Sequence, residues 1–100
     1  MNIKLEDFKA YGQSVIDDLN EYAKKQDGWS LTPNNFEGVR VNLDKGHGNG
    51  WFLLRLSLHD PLLPLNIESN EVGGAKIIAK ELSKFIKNYD ALDAKALLEY

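Results

Sequence analysis

Residues 39–58 read VRVNLDKGHGNGWFLLRLSL, and their hydrophobic period decides the fold. Val39, Val41 and Leu43 alternate with Arg40, Asn42 and Asp44, the period of two that belongs to a strand with one face toward a core. KGHGNG (45–50) places three glycines in five residues, which permits positive φ angles and makes this segment the loop of a β-hairpin. WFLLRLSL (51–58) then begins apolar on both faces, as a central strand requires. Phe52, Leu54, Leu56 and Leu58 fall on one face; Trp51, Leu53, Arg55 and Ser57 fall on the other. LLPLNIES (62–69) supplies a third strand with Leu63, Leu65 and Ile67 on one side. Pro64 cannot donate to a ladder and assigns that strand to an edge or a bulge.

Working outward, the period changes to that of a helix on both sides. Leu5, Phe8, Tyr11, Val15, Leu19 and Tyr22 recur every three or four residues and predict an amphipathic helix over 4–26. Glu6 and Asp7 at its start and Lys24 and Lys25 at its end suit the helix dipole, and Gly28 is the expected C-terminal cap. WSL opens a short strand over 29–32, ended by Pro33, Asn34 and Asn35. Downstream, Asn70 reads as an N-cap and Glu71 as a first-turn acid for a helix over 70–89. Its apolar face is Val72, Ala75, Ile78, Ala79, Leu82, Phe85, Ile86 and Tyr89, with Lys76, Lys80, Lys84 and Lys87 opposite. The tail 90–100 has room for a short helical turn.

The expected elements are thus a helix over 4–26, strands over about 29–32, 38–44, 50–58 and 62–69, and a helix over 70–89, in a single domain spanning 1–100. Two helices with one apolar face each need one sheet face to cover. The expected fold is therefore α+β, a two-layer sandwich of an antiparallel sheet of three to four strands with both helices on one face. The other sheet face, which carries Arg55 and Ser57, is left open.

Composition removes several function classes. At 43% hydrophobic and 27% charged the chain has the profile of a globular protein, and no apolar run approaches the ~20 residues of a membrane span. MNIKLEDFKA has neither the apolar stretch of a signal peptide nor the acid-poor profile of a transit peptide, so a cytoplasmic address is expected. There is no cysteine, hence no disulfide, thiolate nucleophile or thiolate metal site. A net charge of −3 argues against a surface built for nucleic acid, which must neutralise several phosphates at once.

A single phosphate is a different matter. Arg55 and Ser57 lie side by side where a strand enters a tight turn. A guanidinium can grip two phosphate oxygens, a hydroxyl can donate to a third, and turn amides can add support. The residues alone leave a second reading open, in which Arg55 pairs with Glu68 or Asp60 and Ser57 is a small strand residue. Other constellations carry less. Ser57, His59 and Asp60 on one turn cannot easily meet the geometry of a hydrolytic triad, and His47 with His59 shows no metal-ligand spacing, so His47 reads as a solvated loop residue. The lysine face of the second helix reads as solvated. Gly73 and Gly74 suit close packing of helix on sheet at least as well as an anion cradle.

Over residues 28 to 90 the chain resembles the C-terminal domain of the α-D-phosphohexomutases, the phosphoglucomutase and phosphomannomutase family. That family carries Arg-x-Ser-Gly-Thr-Glu-Pro at the end of a strand that begins Gly-Trp, followed by a strand ending in Glu and a small residue. Here Gly50-Trp51 opens the strand, Arg55, Ser57 and Pro61 match the motif, Asp60 replaces glutamate, and Glu68 fits the following strand. Leu58 stands for the family's glycine and His59 for its threonine. The resemblance implies the TATA-box-binding-protein-like fold of that domain and a loop that holds the phosphate of a phosphosugar through Arg55, Ser57, the Leu58 backbone amide and His59, with Asp60 and Pro61 shaping the turn. The family interconverts hexose 1- and 6-phosphates through a phosphoserine with the help of Mg2+. Its Ser-His-Asn nucleophile context and its DGDGDR magnesium loop do not occur in this sequence. The chain is accordingly expected to be one domain of a larger enzyme, without a catalytic or metal-binding residue of its own and inactive alone, its partners being the phosphosugar and the other domains of the enzyme. The alternative from a different class is a free-standing ligand- or protein-binding module that uses the open sheet face.

Overall fold

The computed structural model describes residues 1–32, 38–57 and 59–100, with Ala96 and Leu98 described by their backbone. The elements follow the order β1 (Asn2–Ile3), α1 (Phe8–Lys24), β2 (Trp29–Leu31), β3 (Gly38–Leu43), β4 (Gly50–Arg55), β5 (Leu65–Ser69), α2 (Gly74–Ile86), β6 (Leu92–Asp93) and α3 (Lys95–Leu98), with a 3-10 turn at Lys45–His47. β2, β3, β4 and β5 form an antiparallel meander in that spatial order, and β1 pairs with β6 in a second, two-stranded sheet. The fold is α+β.

Strand alternation builds the core. Val39, Val41 and Leu43 on β3, Phe52 and Leu54 on β4 and Ile67 on β5 are buried, under α1 on the β2–β3 side and α2 on the β4–β5 side. From the helices come Val15, Leu19, Ile78, Leu82 and Ile86, all with essentially no exposure. A chain of aromatic rings crosses this layer: Tyr22 meets Trp29 at 5.7 Å and Phe85 at 5.1 Å, and Trp29 meets Phe52 at 5.4 Å between centroids. Such tilted and edge-on contacts suit the ring quadrupoles.

Both helices are shorter than their periodicity predicts, for identifiable reasons. α1 begins at Phe8 and not at residue 4, because the Ile3 and Lys4 amides donate across strands to the carbonyls of Pro61 and Ala91. After β1 the chain bends at Leu5 and Glu6, and Leu5 is 46% exposed. α2 begins at Gly74 and not at Asn70. The Asn70 amide donates to the Asn49 carbonyl and the Glu71 amide to Ser69 Oγ, while Gly73, at φ +78°, holds a left-handed conformation that no helix contains. Val72 is consequently fully exposed instead of lying on the apolar face. α2 stops at Ile86, with Lys87 as its C-cap, short of Tyr89. Gly28 does have positive φ, but α1 ends before it at Lys24 with Lys25 as the C-cap. The expected strand end at Pro33, Asn34 and Asn35 lies outside the described residues.

Candidate functional site

The hairpin that joins β4 to β5 continues in register beyond the regular strands. Leu54 faces Leu65 across the ladder, the Arg55 amide donates to the Pro64 carbonyl at 3.1 Å, and the Ser57 amide donates to the Leu62 carbonyl at 3.3 Å. Regular pairing nevertheless stops at Arg55, so the strands expected to reach residue 58 and to start at 62 are shorter. Proline has no N–H to return the bond to Arg55, and the Leu62 amide turns instead to the Asp60 carbonyl at 2.8 Å. Pro64 thus shapes an edge, as its chemistry requires.

The far side of residues 61–63 is paired as well. Ile3 donates to the Pro61 carbonyl and Leu63 to the Met1 carbonyl, both at 2.7 Å. The root of the hairpin therefore runs between residues 55–57 and β1, a fixed base for a projecting tip.

On that base the period of two places Arg55 and Ser57 on the open sheet face, two residues apart and so about 6.5 Å between Cα atoms. Leu56, between them, points the other way, its methyl occupying the space that a Cβ on Gly12 of α1 would need. Arg55 is exposed and Ser57 half-buried. Among the described residues no carboxylate lies within ion-pair distance of Arg55, neither Glu68 nor Asp60. Ser57 Oγ accepts the Asp60 amide at 3.2 Å, which closes the turn and leaves the hydroxyl proton available for an acceptor. Asp60 and Pro61 shape the loop through their backbones, Asp60 by that amide and by its carbonyl, Pro61 by its carbonyl to Ile3. His59, Asp60 and Pro61 are all exposed at the tip. Leu58, with its candidate amide, lies outside the described residues. No bond among the described residues joins His59 to Ser57 or to the Asp60 carboxylate, so the three do not form a relay.

His47 lies at the opposite end of β4 and is not simply solvated. Its Nδ1 is 2.8 Å from Glu81 Oε1, and the same oxygen accepts the Trp29 indole N–H at 3.1 Å. Its ring also fills the place a side chain on Gly28 would take. The hydrogen bond to Glu81 is the largest influence on the imidazole and raises its pKa above the usual 6.5, with smaller contributions from the charges of Asp44 and Asp27. The reading of residue types missed this Trp29–Glu81–His47 cluster. Its signal is Glu81 itself, an acid placed three residues after Ile78 and four before Phe85, within the apolar stripe of α2.

Gly74 and Gly48 also belong to this end. A Cβ on Gly74 would meet Ser69 Oγ and the Gly48 carbonyl, so the glycine pair serves helix packing, with Gly73 supplying the positive φ. Across the open face, Arg40 lies over the Trp51 ring at 4.3 Å from its centroid, a cation–π contact that the diagonal register of β3 and β4 allows. Among the described residues no three His, Asp or Glu side chains are grouped to hold a metal ion, and no helix is long and apolar enough to cross a membrane.

The chain matches no protein-family model and no curated protein. The resemblance to the phosphohexomutases is one of residues in the hairpin and its flanking strands.

Proposed function

We propose that this chain is the C-terminal substrate-phosphate-binding domain of a phosphohexomutase that interconverts hexose 1- and 6-phosphates in the cytoplasm. The observation that carries the reading is the hairpin tip: an exposed arginine and a serine hydroxyl on one sheet face, with no described carboxylate to neutralise the arginine, on a root paired from both sides. A phosphate there would take two charge-assisted bonds from the Arg55 guanidinium and one from the Ser57 hydroxyl, which can donate while its oxygen holds the Asp60 amide. His59 and the Leu58 amide would complete the ring of donors. Phosphoryl transfer, the phosphoserine and the magnesium ion would belong to other domains of the enzyme, and the hairpin would close over their cleft and exclude water. On this reading the 100-residue chain alone has no mutase activity.

Amide NMR titration with glucose 1-phosphate and mannose 6-phosphate, with the unphosphorylated sugars as controls, tests the reading. The expected result is saturable shifts confined to residues 55–61, seen only with the phosphosugars and abolished by Arg55→Ala. Shifts that appear equally with the neutral sugars, or that persist in the variant, would overturn it.

The open sheet face supports the second reading, a free-standing binding module. Arg40 stacked on Trp51, beside a Leu53 that is not fully buried, is a surface able to receive a flat or apolar partner. Shifts centred on these residues with no response at the hairpin tip would favour it.

A further inference from the structure

On the other side of the molecule from the open sheet face, α2 and the C-terminal tail enclose a groove of about 480 Å³. Ile86, Leu92 and Leu97 are among the residues that line it, and each is almost wholly withdrawn from solvent. Lys4, Lys84, Lys87 and Lys95 stand around them. Asp93 is the one carboxylate in the lining, and one of its oxygens is already engaged by the Lys95 amide at 3.1 Å. On the far side of Leu97 a smaller cavity of about 160 Å³ continues along α2 past Lys76 and Lys80. None of these six lysines has a described carboxylate within ion-pair distance. A chain with net charge −3 thus gathers half of its twelve basic residues along one helix and its neighbours.

We infer that this groove docks an amphipathic helix of a partner protein, apolar on the face that enters and acidic on its flanks. The groove runs alongside a helix, the arrangement in which a second helix packs ridges into grooves about 8–10 Å away. Ile86, Leu92 and Leu97 form the floor of the groove, and Ala94 with the alkyl stems of the rim lysines supplies the apolar walls that face anchors spaced along such a helix. Lysine ammoniums at the rim meet carboxylates at its flanks, which sets orientation and speeds encounter. A polyanion such as nucleic acid would leave the apolar lining unused, and a bilayer surface is too flat to enter a concave groove. The inference does not rest on the phosphate reading of the hairpin, which lies on the opposite sheet face.

The test uses the 100-residue chain, observed by amide NMR, and a synthetic helix-forming peptide of about 18 residues with leucines at i, i+3, i+4 and i+7 and glutamates on both flanks. A matched peptide with lysine for each glutamate, phosphatidylserine vesicles and a short DNA duplex serve as comparisons. The acidic peptide is expected to give saturable shifts at Lys84, Lys87, Leu92 and Lys95. Its affinity should fall about tenfold in the Lys84→Glu/Lys87→Glu variant and also weaken with added salt. Both substitutions are on exposed positions, and an unchanged amide dispersion would show that the variant is folded. No saturable shift at millimolar peptide, equal binding of the basic peptide, or a response at these lysines only to vesicles or DNA would overturn the inference.

Discussion

The two ends of β4 treat their polar groups in opposite ways. At the β3–β4 end a set of polar side chains is used inside the chain: Ser69 Oγ donates to the Gly48 carbonyl and takes the Glu71 amide, Asp44 accepts the Gly46 amide, and Glu81 holds both His47 and Trp29. At the β4–β5 end the backbone is paired from both sides, but the side chains of Arg55 and His59 project without a described protein partner. Polar groups in a folded chain are satisfied by the protein or by what surrounds it. The first end is therefore part of the architecture, and the second is a fixed base that offers its side chains outward. Substitutions should divide along the same line, costing stability at the first end and binding at the second.

The largest loss is expected from Gly48→Ala at the satisfied end. Gly48 has φ +109°, and an added Cβ would lie 2.6 Å from Ile78 Cγ1 and 2.8 Å from the Gly74 carbonyl oxygen. Strained backbone and overpacking together should cost about 3 kcal/mol, read as a lower urea midpoint. A cost below about 0.5 kcal/mol would mean that the loop does not lock onto α2. Next is Ser69→Ala, which removes the hydroxyl between the loop and the start of α2. A loss of about 1 kcal/mol is expected, and an unchanged midpoint would show that the loop is held by Gly48 and Ile78 packing alone.

These contrasts also show what residue patterns can reveal. The sheet was legible because Val39, Val41 and Leu43 alternate without interruption and because WFLLRLSL assigns one face to the core and the other to Arg55 and Ser57. The open face followed from counting helices against sheet faces. Helix ends were not legible: Leu5 and Val72 fall in phase with the helical stripes, yet β1 pairing and the left-handed Gly73 take them out of the helices. β1 and β6 are two residues each and carry no period to read. They form because backbone amides at the chain's beginning find carbonyls near its end, a tertiary event. The Trp29–Glu81–His47 cluster was hidden for the same reason, since its members come from three elements far apart in sequence. Arg55 and Ser57 needed only one strand to bring them together.

A smaller effect, and a sharper probe of the satisfied end, is the pH dependence of stability. Hydrogen bonding to Glu81 raises the His47 pKa in the folded state, so the folded chain binds this proton more tightly than the unfolded chain does. The resulting stabilisation is fully present below the unfolded value of about 6.5 and is lost as pH rises through the raised folded value. The urea midpoint of the parent chain should therefore fall relative to Glu81→Gln as pH rises above about 6.5, since the neutral amide of the variant weakens the preference for the protonated ring. Parallel profiles for the two proteins would remove His47 from the coupling between this loop and α2.

The smallest expected effect on stability belongs to the residue on which the proposed function depends most. Arg55→Ala keeps the amide that donates to Pro64 and removes a side chain with no described internal partner, so the urea midpoint should move by no more than about 0.5 kcal/mol. The same substitution should abolish the phosphosugar response at the hairpin. Stability and binding would then be separated at one position, as they cannot be at Gly48 or Ser69. If Arg55→Ala instead destabilised the chain by more than about 1 kcal/mol, the guanidinium would have to be engaged within the fold, as a buried or networked charge is. The hairpin tip would then resemble the opposite end of β4, with its polar groups spent on architecture. A stable variant that has lost phosphosugar binding would instead mark Arg55 as a residue held in position by the sheet and used by a ligand.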